Sequence, residues 1–135
     1  MANVELRSKR PLSPHLTVFR RYINMVMSIL HRVTGAANYF AILLPVAWLV
    51  AAASGEGIFT FVNGLFATPL GLLVLFGASW SLIHHALGGI RHFIWDAGRG
   101  FSIPSVIKLS WATIFLSLML TAALWFFAIV AHGGL

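Results

Sequence analysis

The residues able to do chemistry fall in two short stretches. One is HHALGGIRH, residues 84–92, with three histidines and an arginine. The other is SILHR, residues 28–32, with Ser28, His31 and Arg32. Both lie within or beside runs apolar enough for a lipid bilayer. An ionisable group at such a place is costly and marks a functional site by default. A neutral imidazole in hydrocarbon needs a partner for its ring nitrogens, and a metal or heme iron would satisfy one of them. Thiol chemistry is excluded because the chain has no cysteine.

His85 is the anomalous residue. It stands eleven residues before Asp96, about 16 Å along a helix, near the middle of the hydrocarbon. Arg91 and His92 lie about a turn from the same end, where long side chains can snorkel to water. Gly88 and Gly89 are three and four residues after His85 and share its face. They bare the backbone, so that a flat porphyrin could lie there. Close helix–helix packing is the competing use of such a pair. His84 is rotated about 100° from His85 and cannot serve the same iron; a hydrogen bond to another helix suits it better. His85 and His92 share a stripe but lie about 10 Å apart, too far to grip one iron from both sides. His31 and His132 are read as lying at other depths than His85. A second ligand from another subunit is therefore the simplest solution.

In the first stretch, Ser28, His31 and Arg32 fall on one face of one turn. Hydroxyl and guanidinium donors at a membrane edge suit the carbonyls of a quinone, whose tail stays in lipid. A basic girdle for lipid phosphates accounts for Arg20 and Arg21, and less well for Ser28 and His31.

These residues must be carried by membrane-spanning helices. The chain has 135 residues, 59% hydrophobic and 9% charged, with mean hydropathy +0.90. An ordinary soluble domain is far less apolar. The net charge of +6 reflects basic residues gathered on one side of spanning helices. No basic run interleaved with aromatics suggests nucleic acid. Three apolar runs predict an all-α membrane protein with helices at about 29–53, 66–95 and 107–131. Residues 1–27 form a polar, basic N-terminal segment, and all of 1–135 is one membrane-anchor domain. SGEG (54–57) and DAGRGFSIPS (96–105) read as loops. The first run is longer than a signal-peptide core, so it is read as retained despite AAASG at its end. Arg7, Lys9, Arg10, Arg20 and Arg21 precede the first helix, and Arg99 lies in the second loop. The first loop carries only Glu56. The positive-inside rule then puts the N-terminus in the cytoplasm. No internal repeat suggests a transporter. Three helices enclose little volume, which implies a partner chain.

RPLSPHL (10–16), SILHRVTG (28–35) and HHALGGIRHFIWDAG (84–98) together resemble the cytochrome b subunit of succinate dehydrogenase, the larger-type membrane anchor of complex II. The resemblance covers nearly the whole chain. It implies partners: a flavoprotein, an iron–sulfur subunit and a sister anchor, with heme b between the two anchors. It implies His85 as one axial ligand of the heme iron, the other coming from the sister anchor. It maps quinone-binding residues to Ser28 and Arg32, and places His31, Arg32 and His92 near the heme propionates. RPLSPHL would lie against the iron–sulfur subunit. Electrons would pass from that subunit to ubiquinone, with Arg32 favouring the one-electron-reduced anion and Ser28 bonding a carbonyl. The chain itself has no centre for succinate; it supplies the quinone end of the enzyme. The absence of a targeting presequence favours a bacterial cytoplasmic membrane over a mitochondrial one. Three other readings compete: a quinol:fumarate reductase anchor, a heme-free structural anchor, and a small homodimeric cytochrome b pairing His85 with its own copy.

Overall fold

The computed structural model describes residues 19–131 and residue 133. RPLSPHL and His132 lie outside them. The described residues form five helices: α1 (Ile23–Ala41), α2 (Leu43–Ser54), α3 (Glu56–Phe66), α4 (Pro69–Asp96) and α5 (Ile103–Ala131). Three segments are long and apolar enough to cross a membrane: Ile23–Ser54, Pro69–Asp96 and Ile103–Ala131.

The first span is one helical path with a joint at Ile42, which keeps right-handed helical dihedrals. Pro45 explains the joint. It has no N–H to give to the carbonyl four residues back, so the ladder skips a bond at Ala41. The span starts at Ile23, six residues before the expected 29. Gly55, at φ 116, then turns the chain.

The loop expected after SGEG holds a helix instead. At 11 residues, α3 is about 16 Å long and cannot cross the bilayer. Trp48 Nε1 donates to Asn63 Oδ1 at 2.9 Å and ties α3 back to α2. The turn into α4 is tight. A Cβ on Gly71 would meet the carbonyl oxygens of Leu65 and Phe66. Thr68 caps α4 by accepting from the Gly71 N–H at 3.1 Å, and Pro69 occupies the first turn, where its missing N–H costs nothing. At the other end, Gly98 at φ 72 and Gly100 at φ 77 close α4 and lead into α5.

α4 packs between α1 and α5. Its interior is inverted relative to a soluble bundle. Among the described residues, the buried hydrophobic ones are Met27 and Ala51 alone. The buried polar ones are Thr34, Ser81, His84, Arg91, Ser110, Thr113, Ser117 and Thr121. Large apolar side chains point outward, as lipid requires. Between helices, small residues allow close approach where no hydrophobic drive exists. Ser110, Thr113, Ser117 and Thr121 form one stripe along α5. Each hydroxyl donates to a carbonyl of its own helix at 2.8–2.9 Å, so none is left unpaired by burial.

Candidate functional site

The site is built where α1 meets α4. Two glycines set the approach. A Cβ on Gly35 would stand 2.9 Å from His85 Cε1, and one on Gly88 would overlap the His31 ring, with Cε1 at 3.0 Å. Each helix therefore offers a bare backbone patch to a histidine of the other. The two rings stack with centroids 4.1 Å apart and planes parallel. His92 follows His31 at 5.0 Å.

This arrangement corrects two expectations, the depth of His31 and the exposure of Arg91. His31 is at the depth of His85, because α1 begins earlier than the apolar run suggests and carries His31 two turns inward. The bare backbone at Gly88 receives the His31 imidazole. Gly89 does border open space, with nothing within 4 Å of a Cβ there. Arg91 does not snorkel. It is 2% exposed, with Nη1 3.4 Å from Ser110 Oγ and its guanidinium 5.0 Å over the Trp95 ring.

His84 and His85 diverge as their 100° offset demands. His84 turns into the α4–α5 seam, 1% exposed, with Nδ1 3.1 Å from Ser117 Oγ. That hydroxyl already donates to the Ile114 carbonyl, so it accepts from His84. His85 turns to α1. Its Nδ1 lies 3.1 Å from the His31 carbonyl oxygen. A carbonyl can only accept, so Nδ1 carries the proton and the neutral ring has its lone pair on Nε2. Nε2 has no hydrogen-bond partner among the described residues, and it is not sealed from the surface. A histidine held by one nitrogen with the other free is prepared to ligate a metal.

The stack cannot itself grip an iron from two sides. Nitrogens that do so point at each other across the metal, whereas stacked rings present their faces. No group of three His, Asp or Glu among the described residues is arranged to hold a metal ion. Among the described histidines, His85 has one nitrogen held and the other both unpartnered and open to the surface, whereas the unpartnered Nε2 of His84 is buried.

Ser28 and Arg32 are exposed on the face of α1 beside His31, and His92 is exposed at the far end of the stack, while His31 and His85 are half-buried. The structure thus brings His31, His85, His92 and Gly88 together, and leaves Ser28, Arg32 and Gly89 on the open side. Thr34 and Gly35, which touch His85 directly, are site residues the sequence reading passed over. Their signal was available in the spacing. Thr34 is three residues after His31, and Gly35 four, on the same face. A separate apolar cavity of about 440 Å³ lies between the first span and α4, lined by Asn38, Pro45, Trp48, Leu75 and Leu82 among others. It contains none of the histidines.

Comparison with known proteins places this geometry in context. Residues 7–124 match the family model of the succinate dehydrogenase/fumarate reductase transmembrane subunit. A succinate dehydrogenase cytochrome b556 subunit from Paracoccus denitrificans is 42% identical over 120 residues, covering 89% of this chain and 92% of that protein. The cytochrome b556 subunit from Rickettsia felis is 36% identical over 121 residues, covering 90% and 94%. The mitochondrial cytochrome b560 subunit from Sus scrofa is 36% identical over 124 residues, covering 90% and 73%. Matches of this length and identity, together with three spanning helices, decide the assignment: the chain belongs to the succinate dehydrogenase/fumarate reductase transmembrane subunit family.

Proposed function

We propose that this chain is the membrane-anchoring cytochrome b subunit of a succinate dehydrogenase, that His85 is its axial ligand to heme b, and that Ser28 and Arg32 contribute to the ubiquinone site. Relatives named for that role span nearly its full length, and their names favour succinate dehydrogenase over fumarate reductase among the two enzymes the family covers. Three spanning helices and bacterial relatives fit a multi-pass protein of the inner membrane. Arg20 and Arg21 precede the first span and Arg99 follows α4, whereas the α2–α3 side carries only Glu56. That distribution supports a cytoplasmic N-terminus, where flavoprotein and iron–sulfur subunits would dock.

The single observation that carries the cofactor assignment is His85 itself. Its Nδ1 is committed to the His31 carbonyl and its Nε2 is free, near the midpoint of a 28-residue helix. The residues present therefore fit heme iron. Heme supplies a one-electron store when bound. A second ligand would come from a sister anchor, because His31 lies face to face with His85 and His84 turns away into the α4–α5 seam. His31 supports the ring of His85, and with Arg32 and His92 it provides basic or donor groups for the propionates. At the exposed turn, Ser28 donates a hydrogen bond to a quinone carbonyl. Arg32 places positive charge where the reduced quinone gains negative charge.

The test is a reduced-minus-oxidised absorbance spectrum of the complex purified through this chain, compared with His85→Ala. A low-spin b-type spectrum that the variant loses supports the assignment. A spectrum unchanged in the variant removes His85 as ligand. A complex with no heme leaves a structural anchor.

A further inference from the structure

Thr34 sits under His85 with a hydroxyl whose only proton is already used. It is 2% exposed. Its Oγ1 lies 2.8 Å from the Leu30 carbonyl oxygen and 3.1 Å from that of His31. Whichever carbonyl receives the proton, Oγ1 has only lone pairs left for a third neighbour. That neighbour is His85 Nδ1 at 3.4 Å. The Nδ1–H therefore faces two acceptors: the His31 carbonyl at 3.1 Å and, as a longer second contact, Thr34 Oγ1. Neither can donate in return, so the tautomer with a free Nε2 is enforced twice. Gly35 sets the position of the same ring. A Cβ there would stand 2.9 Å from Cε1, 3.4 Å from Nδ1 and 3.8 Å from Nε2. Cε1 bridges the two nitrogens, so pressure on it moves both.

We propose that Thr34 and Gly35 are positioning residues for His85: Thr34 as a second acceptor that fixes the ring's tautomer and strengthens it as a donor, Gly35 as the gap that lets the ring lie against α1. The inference rests on the reading of His85 as a heme ligand. Its physical basis is general. An acceptor on the far N–H of a ligating imidazole gives the ring more anionic character, makes it a better donor and favours the oxidised metal. Ser81, on the same helix as His85, does not serve this ring. Ser81 Oγ, which donates to the Thr34 carbonyl at 3.2 Å, joins the same two helices without touching His85.

The experiment is a redox titration of the heme in the purified complex, with its low-spin electron paramagnetic resonance signal, for Thr34→Val, Thr34→Ser, Gly35→Ala and Ser81→Ala. Thr34→Val keeps the shape and removes the acceptor, so the midpoint potential should rise; Thr34→Ser should restore it. Gly35→Ala should shift the low-spin signal and lower heme occupancy. Ser81→Ala should leave the potential in place. A potential unmoved by Thr34→Val, or moved equally by Ser81→Ala, overturns the inference while leaving His85 as ligand. A complex without heme overturns both, and the unmodified spectrum tells the two failures apart.

Discussion

Ser117 of α5 holds His84 of α4 by a single hydrogen bond of 3.1 Å inside the helix seam, one residue before a histidine that turns to α1 instead. Adjacent histidines in one motif thus do separate work. His84 joins two helices of this chain, and His85 presents a free nitrogen. His84→Leu loses the bond to Ser117. It also removes a second ring nitrogen that is buried without a partner. The two changes oppose each other, so stability should move by no more than about 1 kcal/mol. The heme spectrum should be retained, whereas His85→Leu should abolish it. Absorbance spectra and thermal unfolding of both variants check the order; a heavier spectral loss from His84→Leu would reverse the assignment.

Gly88 and Gly89 should respond unequally to an added methyl. At Gly88 it would drive into the His31 ring, and overpacking of this kind costs about 1–3 kcal/mol. At Gly89 the chain itself offers no obstacle. Thermal unfolding of the detergent-solubilised chain should show a loss for Gly88→Ala and almost none for Gly89→Ala. If Gly89→Ala harms only the assembled complex, that position lies at a subunit contact.

Ser28→Ala and Arg32→Leu alter exposed side chains that make no hydrogen bond within the described chain. Quinone reduction should fall at least tenfold for Arg32→Leu and less for Ser28→Ala, the weaker neutral donor, since bonds to charged groups contribute about 1.5–3 kcal/mol. Succinate oxidation with a soluble artificial acceptor should stay intact. Equal loss of both activities would mean misassembly instead of a damaged quinone site.

Trp48→Phe keeps the ring but removes its bond to Asn63. The expected cost is about 1 kcal/mol, confined to α3. Hydrogen exchange should quicken in residues 56–66 and stay unchanged in α4. Uniform acceleration would mean that α3 is held by the whole bundle.

The three spans were legible because about twenty consecutive apolar residues have few other uses. Their interior was less so. Helix α3 escaped because Gly57 and Gly64 punctuate a run of only 11 residues, which reads as loop. Asn24 and the preceding Arg20–Tyr22 hid the true start of α1, and that offset misplaced His31 in depth. Arg91 looked like a snorkelling cation because sequence gives its distance from the helix end but not its azimuth. The hydroxyl stripe on α5 could have been read from its spacing of three, four and four. In a membrane helix the interior face is the less apolar one, and a search for hydrophobic faces passes over it.

The inverted interior also bears on how the chain is made. Helix α4 enters the bilayer first, and until α5 joins it, Arg91 and His84 face hydrocarbon. A charge at the centre of a spanning helix costs about 2.5–3.5 kcal/mol by insertion scales, and less toward the end, where Arg91 stands. Ser110 and Ser117, which meet Arg91 and His84, arrive only with α5. The link between these helices is just residues 97–102, short enough for α5 to emerge against its neighbour. Lengthening that link should therefore penalise biogenesis before it touches any finished contact, because it prolongs the interval in which a lone α4 must carry its polar face through lipid.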